Sequence, residues 1–333
     1  MSRVAIACQG GGSHTAFTAG VLAHVLEHWD EDDELVGLSG TSGGAVNAVA
    51  AWYGLATGGR ERAVELLEAV WDDVAADDPV DRLVNAATVW GGRLEATGLP
   101  VLRASPYVDP SATWTRRAFL ALIERHVDFA ELRALCDDPD RPELVVGTVD
   151  INAGEFETFT NAAVTAEAVL ASAAVPELFR AVEIDGHHHW DGLFSQNPPV
   201  NDLMHVPSDR KPEELWIVQI NPQARDGEPT SAEEIADRRN ELAGNISLNQ
   251  ELGFIGRVND WIDAGHLDDE RFTRTRVHRI EMARTLHCST KADRSPSFID
   301  DLRRHGADRA AGFLRDREDG VAPDALGRSG DGH

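Results

Sequence analysis

Apolar positions along the chain change their spacing in a regular order. Val4-Ala5-Ile6-Ala7-Cys8 is a short apolar run, which predicts a buried strand. Gly10-Gly11-Gly12 follows at once. Phe17, Val21, Leu22, Val25 and Leu26 then recur at helical spacing within 16–29. An acidic loop at 30–34 leads to a second apolar strand at 35–38 and a glycine-rich corner, Gly40-Thr41-Ser42-Gly43-Gly44. Strand, helix and strand in that order predict a β-loop-α-β unit with parallel strands. The glycine triplet and the serine corner then sit at carboxyl ends of neighbouring strands, where open α/β sheets place their sites.

Further along, 61–74 and 114–126 read as amphipathic helices, with breaks at Gly91-Gly92, Gly98-Leu99-Pro100 and Ser105-Pro106. The stretch 60–140 is thus expected to be a helical insertion over the site. Residues 144–151 form a strong strand pattern, turned by Asn152-Ala153-Gly154 into 155–159. A small-residue helix at 166–174 ends before Pro176, and 182–184 pairs with 187–190 across Asp185-Gly186, a good hairpin turn. Another buried strand is expected at 215–220, a long helical region broken at Gly244 and Gly253 over 233–262, a late strand at 276–282 and a last helix at 297–317. From 318 the chain is rich in Gly, Asp and Ser and reads as a disordered acidic tail. No repeat and no linker interrupts 1–317, which reads as a single domain of α/β class.

Charge changes the picture of the surroundings. The chain of 333 residues holds 57 acidic against 31 basic residues, a net charge of −26. Its only lysines are Lys211 and Lys291. The acids are spread along the chain, as on a surface kept hydrated in concentrated salt, and this points to a salt-loving cytoplasm. Such a surface disfavours nucleic acid as a partner. Cys8, Cys136 and Cys288 lie far apart, with no disulfide or zinc spacing. No apolar run approaches the ~18 residues that span a bilayer, and the start shows no secretory leader, so a cytoplasmic protein is expected.

The chemistry rests on the serine corner. Gly40-Thr41-Ser42-Gly43-Gly44 fits Gly-x-Ser-x-Gly, in which a sharp strand-to-helix turn pushes a serine hydroxyl out of the sheet edge. The positions two before and two after it, Gly40 and Gly44, are pressed together and cannot carry side chains. An activated serine also needs a base, an oxyanion hole and a dry pocket. Gly10, Gly11 and Gly12 supply amides for a hole; a tight turn is their other reading, and both phosphate-loop patterns fail on them. For the base, His266, His278, His287 and His305 stand far downstream, as a Ser-His-Asp triad would need, but none closes a strand. Asp191 does close one and precedes Gly192, although an Asp-Gly pair also makes an ordinary turn. The residues alone leave that choice open. His187-His188-His189 alternates between the two faces of a strand, so the three cannot converge on one metal, and no metal site is expected.

Taken together, Gly10-Gly11-Gly12, Gly40-Thr41-Ser42-Gly43-Gly44-Ala45, Ala171-Ser172-Ala173-Ala174-Val175-Pro176 and Asp191-Gly192 with Asn197-x-Pro199 resemble the patatin-like phospholipases in order and spacing over roughly 4–220. The resemblance implies a three-layer fold, with a mostly parallel sheet between helices. It implies Ser42 as nucleophile, Asp191 as general base, an oxyanion hole at 10–12, and ester hydrolysis without metal or cofactor. Lipids are the implied substrates. The same family includes depolymerases of storage polyesters in salt-loving archaea, so a poly(3-hydroxyalkanoate) substrate is the alternative, with peripheral contact to a membrane or granule surface in either case. A non-catalytic lipid- or granule-binding protein is the remaining alternative. One position departs from the family: His14 stands where a basic residue usually follows the glycines, and only a protonated His14 could replace it.

Overall fold

The computed structural model describes residues 2–96, 105–109, 111–176, 178–268 and 271–320. The expected break at 98–100 and nearly all of the expected tail from 318 lie outside these residues. Chain order gives β1 (Arg3–Cys8), α1 (Ala16–Glu27), β2 (Glu34–Thr41), α2 (Gly43–Val74), α3 (Pro79–Ala96), α4 (Ser111–His126) and α5 (Phe129–Leu135). There follow β3 (Glu143–Asp150), β4 (Glu155–Thr160), α6 (Ala166–Ser172), β5 (Val182–Ile184), β6 (His187–Asp191) and α7 (Asn201–Met204). β7 (Glu214–Gln219), α8 (Ala232–Asp263), β8 (Arg276–Glu281) and α9 (Pro296–Glu318) complete it.

One sheet runs β5-β6-β3-β2-β1-β7-β8, with β4 also paired to β3. The five strands β3, β2, β1, β7 and β8 are parallel, and β4 and β6 lie antiparallel to β3. Alternation sorts the side chains. Val4, Ile6, Cys8, Trp216 and Val218 face a large core with α1, α2 and α9, whereas Ala5, Ala7, Leu215 and Ile217 face Leu248, Leu252 and Ile255 of α8. Helices therefore cover both faces, as the parallel centre requires. α1 and α9 approach closely because Gly20 sits against the Arg303 carbonyl and Gly306 against that of Phe17. Each buries an apolar stripe that would otherwise face water, at roughly 25 cal/mol per Å².

Two helical expectations change. The expected break at Gly91-Gly92 is absent, since α3 runs through both glycines. The expected helix at 61–74 stands, set off from the one leaving the serine corner by a kink at Gly59, whose φ of 75° only glycine adopts freely. The region 233–262 is unbroken: neither Gly244 nor Gly253 interrupts α8. Tertiary packing on the sheet outweighs the ~1 kcal/mol that each glycine costs a helix. The hairpin between β5 and β6 turns as expected, with Asp185 and Gly186 both at positive φ.

Candidate active site

β2 ends at Thr41 and α2 begins at Gly43, so Ser42 is the corner residue, at φ 56° and ψ −130°. A left-handed backbone of this kind costs a non-glycine residue of order 1–3 kcal/mol and persists only where its surroundings impose it. Here they do. A side chain at Gly40 would meet the Gly44 carbonyl, and one at Gly44 would meet that of Cys8. The Ser42 amide donates to Ser172 Oγ at 2.9 Å, and that hydroxyl donates to the Gly147 carbonyl at 2.7 Å. The Ser42 carbonyl accepts from Ala45 and Val46, the first bonds of α2.

The glycine triplet lies directly against this corner. A Cβ at Gly10 would stand 2.6 Å from the Thr41 carbonyl oxygen and 2.7 Å from Ser42 Cβ. The Gly10 amide donates to Asn197 Oδ1 at 2.6 Å, and its carbonyl accepts from Asn197 Nδ2 at 3.3 Å and Asn221 Nδ2 at 3.1 Å. Its amide is thus engaged. Of the three expected oxyanion donors, those of Gly11 and Gly12 have no partner among the described residues and can receive a ligand.

Asp191, fully buried, closes β6. Its Oδ1 accepts from Leu193 N at 2.9 Å, and its own amide donates to the Ala174 carbonyl at 3.1 Å. The register sets Asp191 opposite Thr148 on β3, and Gly147, one residue earlier, opposite Thr41 on β2. A Cβ at Gly192 would lie 2.6 Å from the Gly147 carbonyl oxygen and 3.0 Å from Thr41 Cγ2. The three sequence-distant pieces, 10–12, 40–44 and 191–192, therefore share one end of the sheet. The downstream histidines are elsewhere: His278 faces Glu214 at 3.5 Å, His287 bonds Ser289 Oγ, and His305 donates to the Met282 carbonyl.

A buried amide network holds the arrangement. Gln9 Nε2 donates to the Asn197 carbonyl and to Asn245 Oδ1, and Gln9 Oε1 accepts from the amides of Ile220 and Asn221. Thr41 Oγ1 donates to the Gln196 carbonyl and Ser39 Oγ to that of Pro199. Gln9 and Asn221 carry no motif; a polar residue at the very end of an apolar strand is the one signal that points to them. Gly244 of α8 lies 3.0 Å, by its absent Cβ, from Asn197 Cβ, so that helix passes over the 191–199 loop.

His14 does not supply a cation. It is buried, and Nε2 meets Thr290 Oγ1 at 2.8 Å. That hydroxyl already donates to the His287 carbonyl, so His14 Nε2 carries the proton. Burial, reinforced by Lys291, lowers its pKa to about 3, leaving it neutral. Glu251 is displaced the other way. Burial pushes its carboxyl up to about 7 against the amides of Val200 and Asn201, which donate to it. The two groups oppose each other in stability. His14 stabilises above 6.5, and this is lost as pH falls toward 3; Glu251 stabilises below 4.5, and this is lost as pH rises through about 7. Between pH 4.5 and 6.5 their slopes cancel in the native chain. Over that window we expect urea midpoints to fall with rising pH in His14→Gln and to rise in Glu251→Gln. Identical slopes in both variants would contradict these assignments.

The sequence pattern of the Patatin family, described as patatin-like phospholipase, matches residues 6–204. The chain belongs to this family of lipid acyl hydrolases. No curated protein matches it in sequence. Among solved structures it is similar to VipD from Legionella pneumophila, at 12% identity and a TM-score of 0.45, over 94% of this chain and 67% of that one.

Proposed function

We propose that the protein hydrolyses acyl esters of lipids with Ser42 as nucleophile and Asp191 as general base. The observation that carries this is the meeting of Gly10 with Ser42 and of Gly192 with Thr41 at one sheet end. In this reading Ser42 Oγ attacks the ester carbonyl carbon, and its proton passes to the Asp191 carboxylate. The carbonyl oxygen, now negative, is received by the amides of Gly11 and Gly12. The tetrahedral adduct collapses, the alcohol leaves with that proton, and an acyl-enzyme remains. Asp191 then takes a proton from water, which attacks the acyl-enzyme; the Ser42 oxygen leaves with that proton, and the acid is freed. A carboxylate of ordinary pKa near 4 is a weak base for an alcohol, so preorganised amides must supply much of the rate, each roughly 10²–10³.

One feature supports a lipid substrate. Leu242 and Ile246 of α8 and Trp90 and Leu94 of α3, which packs on α8, are apolar side chains left exposed, as on a protein that meets an ester at a hydrophobic surface.

The deciding experiment is fluorophosphonate labelling, followed by assay in molar salt of fatty acid released from phospholipid and of hydroxy acid released from native polyester granules. Labelling of Ser42 with fatty acid release is the expected result. Hydroxy acid release alone reassigns the substrate to storage polyester, and absence of labelling leaves a binding protein.

A further inference from the structure

The hairpin that ends at Asp191 carries a second group of ligand-type side chains. Alternation along β6 sends His188 to one face, where it bonds Asn152 Oδ1 at 3.1 Å, and His187 and His189 to the other. The register sets Asp150 of β3 opposite His189, and Glu157 of β4 opposite Thr148 on the same face. His187 Nδ1 lies 2.5 Å from Asp150 Oδ2, and His189 Nε2 lies 2.6 Å from Glu157 Oε2. Ligand atoms of Asp150, Glu157 and His189 all fall within 4.8 Å of one another. Asp150 and His189 are buried, while the side chains of Glu157 and His187 are 41% and 55% exposed and leave a way in.

The hydrogen bonds of His189 favour a cation here. Its Nδ1 faces the Val182 carbonyl at 3.3 Å, an oxygen that only accepts. With its proton on Nδ1, the Nε2 lone pair points at the Glu157 carboxylate, where a metal ion can bridge the two; with the proton on Nε2, the pair is an ordinary hydrogen bond and Nδ1 faces the carbonyl without a donor. An imidazole whose other nitrogen is held by a backbone carbonyl is oriented as ligating histidines are. The Phe159 ring, 5.7 Å away and edge-on, closes the apolar side.

We propose that Asp150, Glu157 and His189 form a divalent-cation site, with Zn²⁺ the best match to an imidazole and two carboxylates, and with His187 positioning Asp150. On binding, His189 Nε2 gives its lone pair to the metal, each carboxylate gives one oxygen, water completes the tetrahedron, and the proton between His189 and Glu157 leaves to solvent. That pair then opens to the roughly 3.3 Å expected between tetrahedral ligands about 2.0–2.1 Å from zinc. The ion clamps β6 to β3 and β4 two residues before Asp191. Its role is to hold the strand, and it contacts no reacting atom.

The test uses the full chain, stripped with a chelator and titrated with Zn²⁺ in molar potassium chloride. One ion should bind per chain, with a rise in Tm, and Co²⁺ in its place should give visible d–d absorption. His187→Gln and Glu157→Gln alter partly exposed side chains and should fold; each should weaken binding at least ~10-fold and abolish the rise in Tm. His28→Gln, in the surface group His24, Glu27 and His28 on and just beyond α1, should change neither. No uptake by the native chain would mean hydrogen-bonded histidine–carboxylate pairs only, and the proposal would be wrong. Uptake lost in His28→Gln but kept in His187→Gln would overturn it equally.

Discussion

Asp191→Asn is expected to lower ester turnover by roughly 10³–10⁴ while leaving the fold intact, and Ser42→Ala to remove turnover altogether. The asparagine retains the size of the aspartate and an Oδ1 that accepts from Leu193 N, so the turn after β6 keeps its cap. What it loses is the capacity to take the serine proton. Slower fluorophosphonate labelling of Ser42 should accompany the slower turnover, because both begin with the same proton transfer. Ser42→Gly gives a further signature. Glycine adopts φ near 56° without the penalty that serine or alanine pays there, so this variant should be about 1 kcal/mol more stable than Ser42→Ala and equally inactive. Inactive alanine and glycine variants of equal stability would show that the corner holds no strain. Asp191→Asn retaining more than a tenth of native turnover would exclude the aspartate as base, whichever residue then took its place.

The serine corner and the Asp191-Gly192 turn were legible as backbone features because their geometry forces unusual local sequence, although the base itself was left open by the residues alone. A strand that turns sharply into a helix at a serine needs glycine on both sides, and a strand end packed beside two others needs Gly192. The strands of the parallel centre were legible for a related reason: buried on both faces, they read as unbroken apolar runs such as 4–8 and 215–220. The hairpin at Asp185-Gly186 was fixed by turn chemistry alone. What was hidden depends on long-range contact. Gly244 and Gly253 look like helix breaks in isolation, yet α8 continues through both because the sheet face of Ala5, Ala7 and Ile217 holds it. The engagement of the Gly10 amide by Asn197 joins residues 187 positions apart, which no local pattern announces. His14 was readable as a position but not as a state: its neutrality follows from burial beside Lys291, a residue remote in the chain. The same applies to His187 and His189. Alternation correctly separates them from His188, but the carboxylates they meet come from two other strands.

Gly10→Ala is expected to cost about as much activity as losing an oxyanion donor, roughly 10²–10³ in kcat, with little change in KM. The added methyl would lie 2.6 Å from the Thr41 carbonyl oxygen and 2.7 Å from Ser42 Cβ. Neither is the movable end of a flexible side chain; one is backbone and the other is the root of the nucleophile. Nor can Gly10 retreat freely, since Asn197 holds its amide, and Asn197 and Asn221 hold its carbonyl. Either Ser42 shifts or the loop tears from that network, and both misalign the hydroxyl with the amides of Gly11 and Gly12. Overpacking of this kind typically costs 1–3 kcal/mol of stability, well short of unfolding a domain of this size. Gly253→Ala is the matched comparison. It lies within α8, its Cβ would meet nothing within 4 Å, and it should gain up to about 1 kcal/mol of stability with turnover unchanged. Thermal melts and single-turnover acylation of the two variants separate the effects. Full acylation rate in Gly10→Ala would mean that the glycine triplet serves the turn alone, and the oxyanion would then have to be received elsewhere.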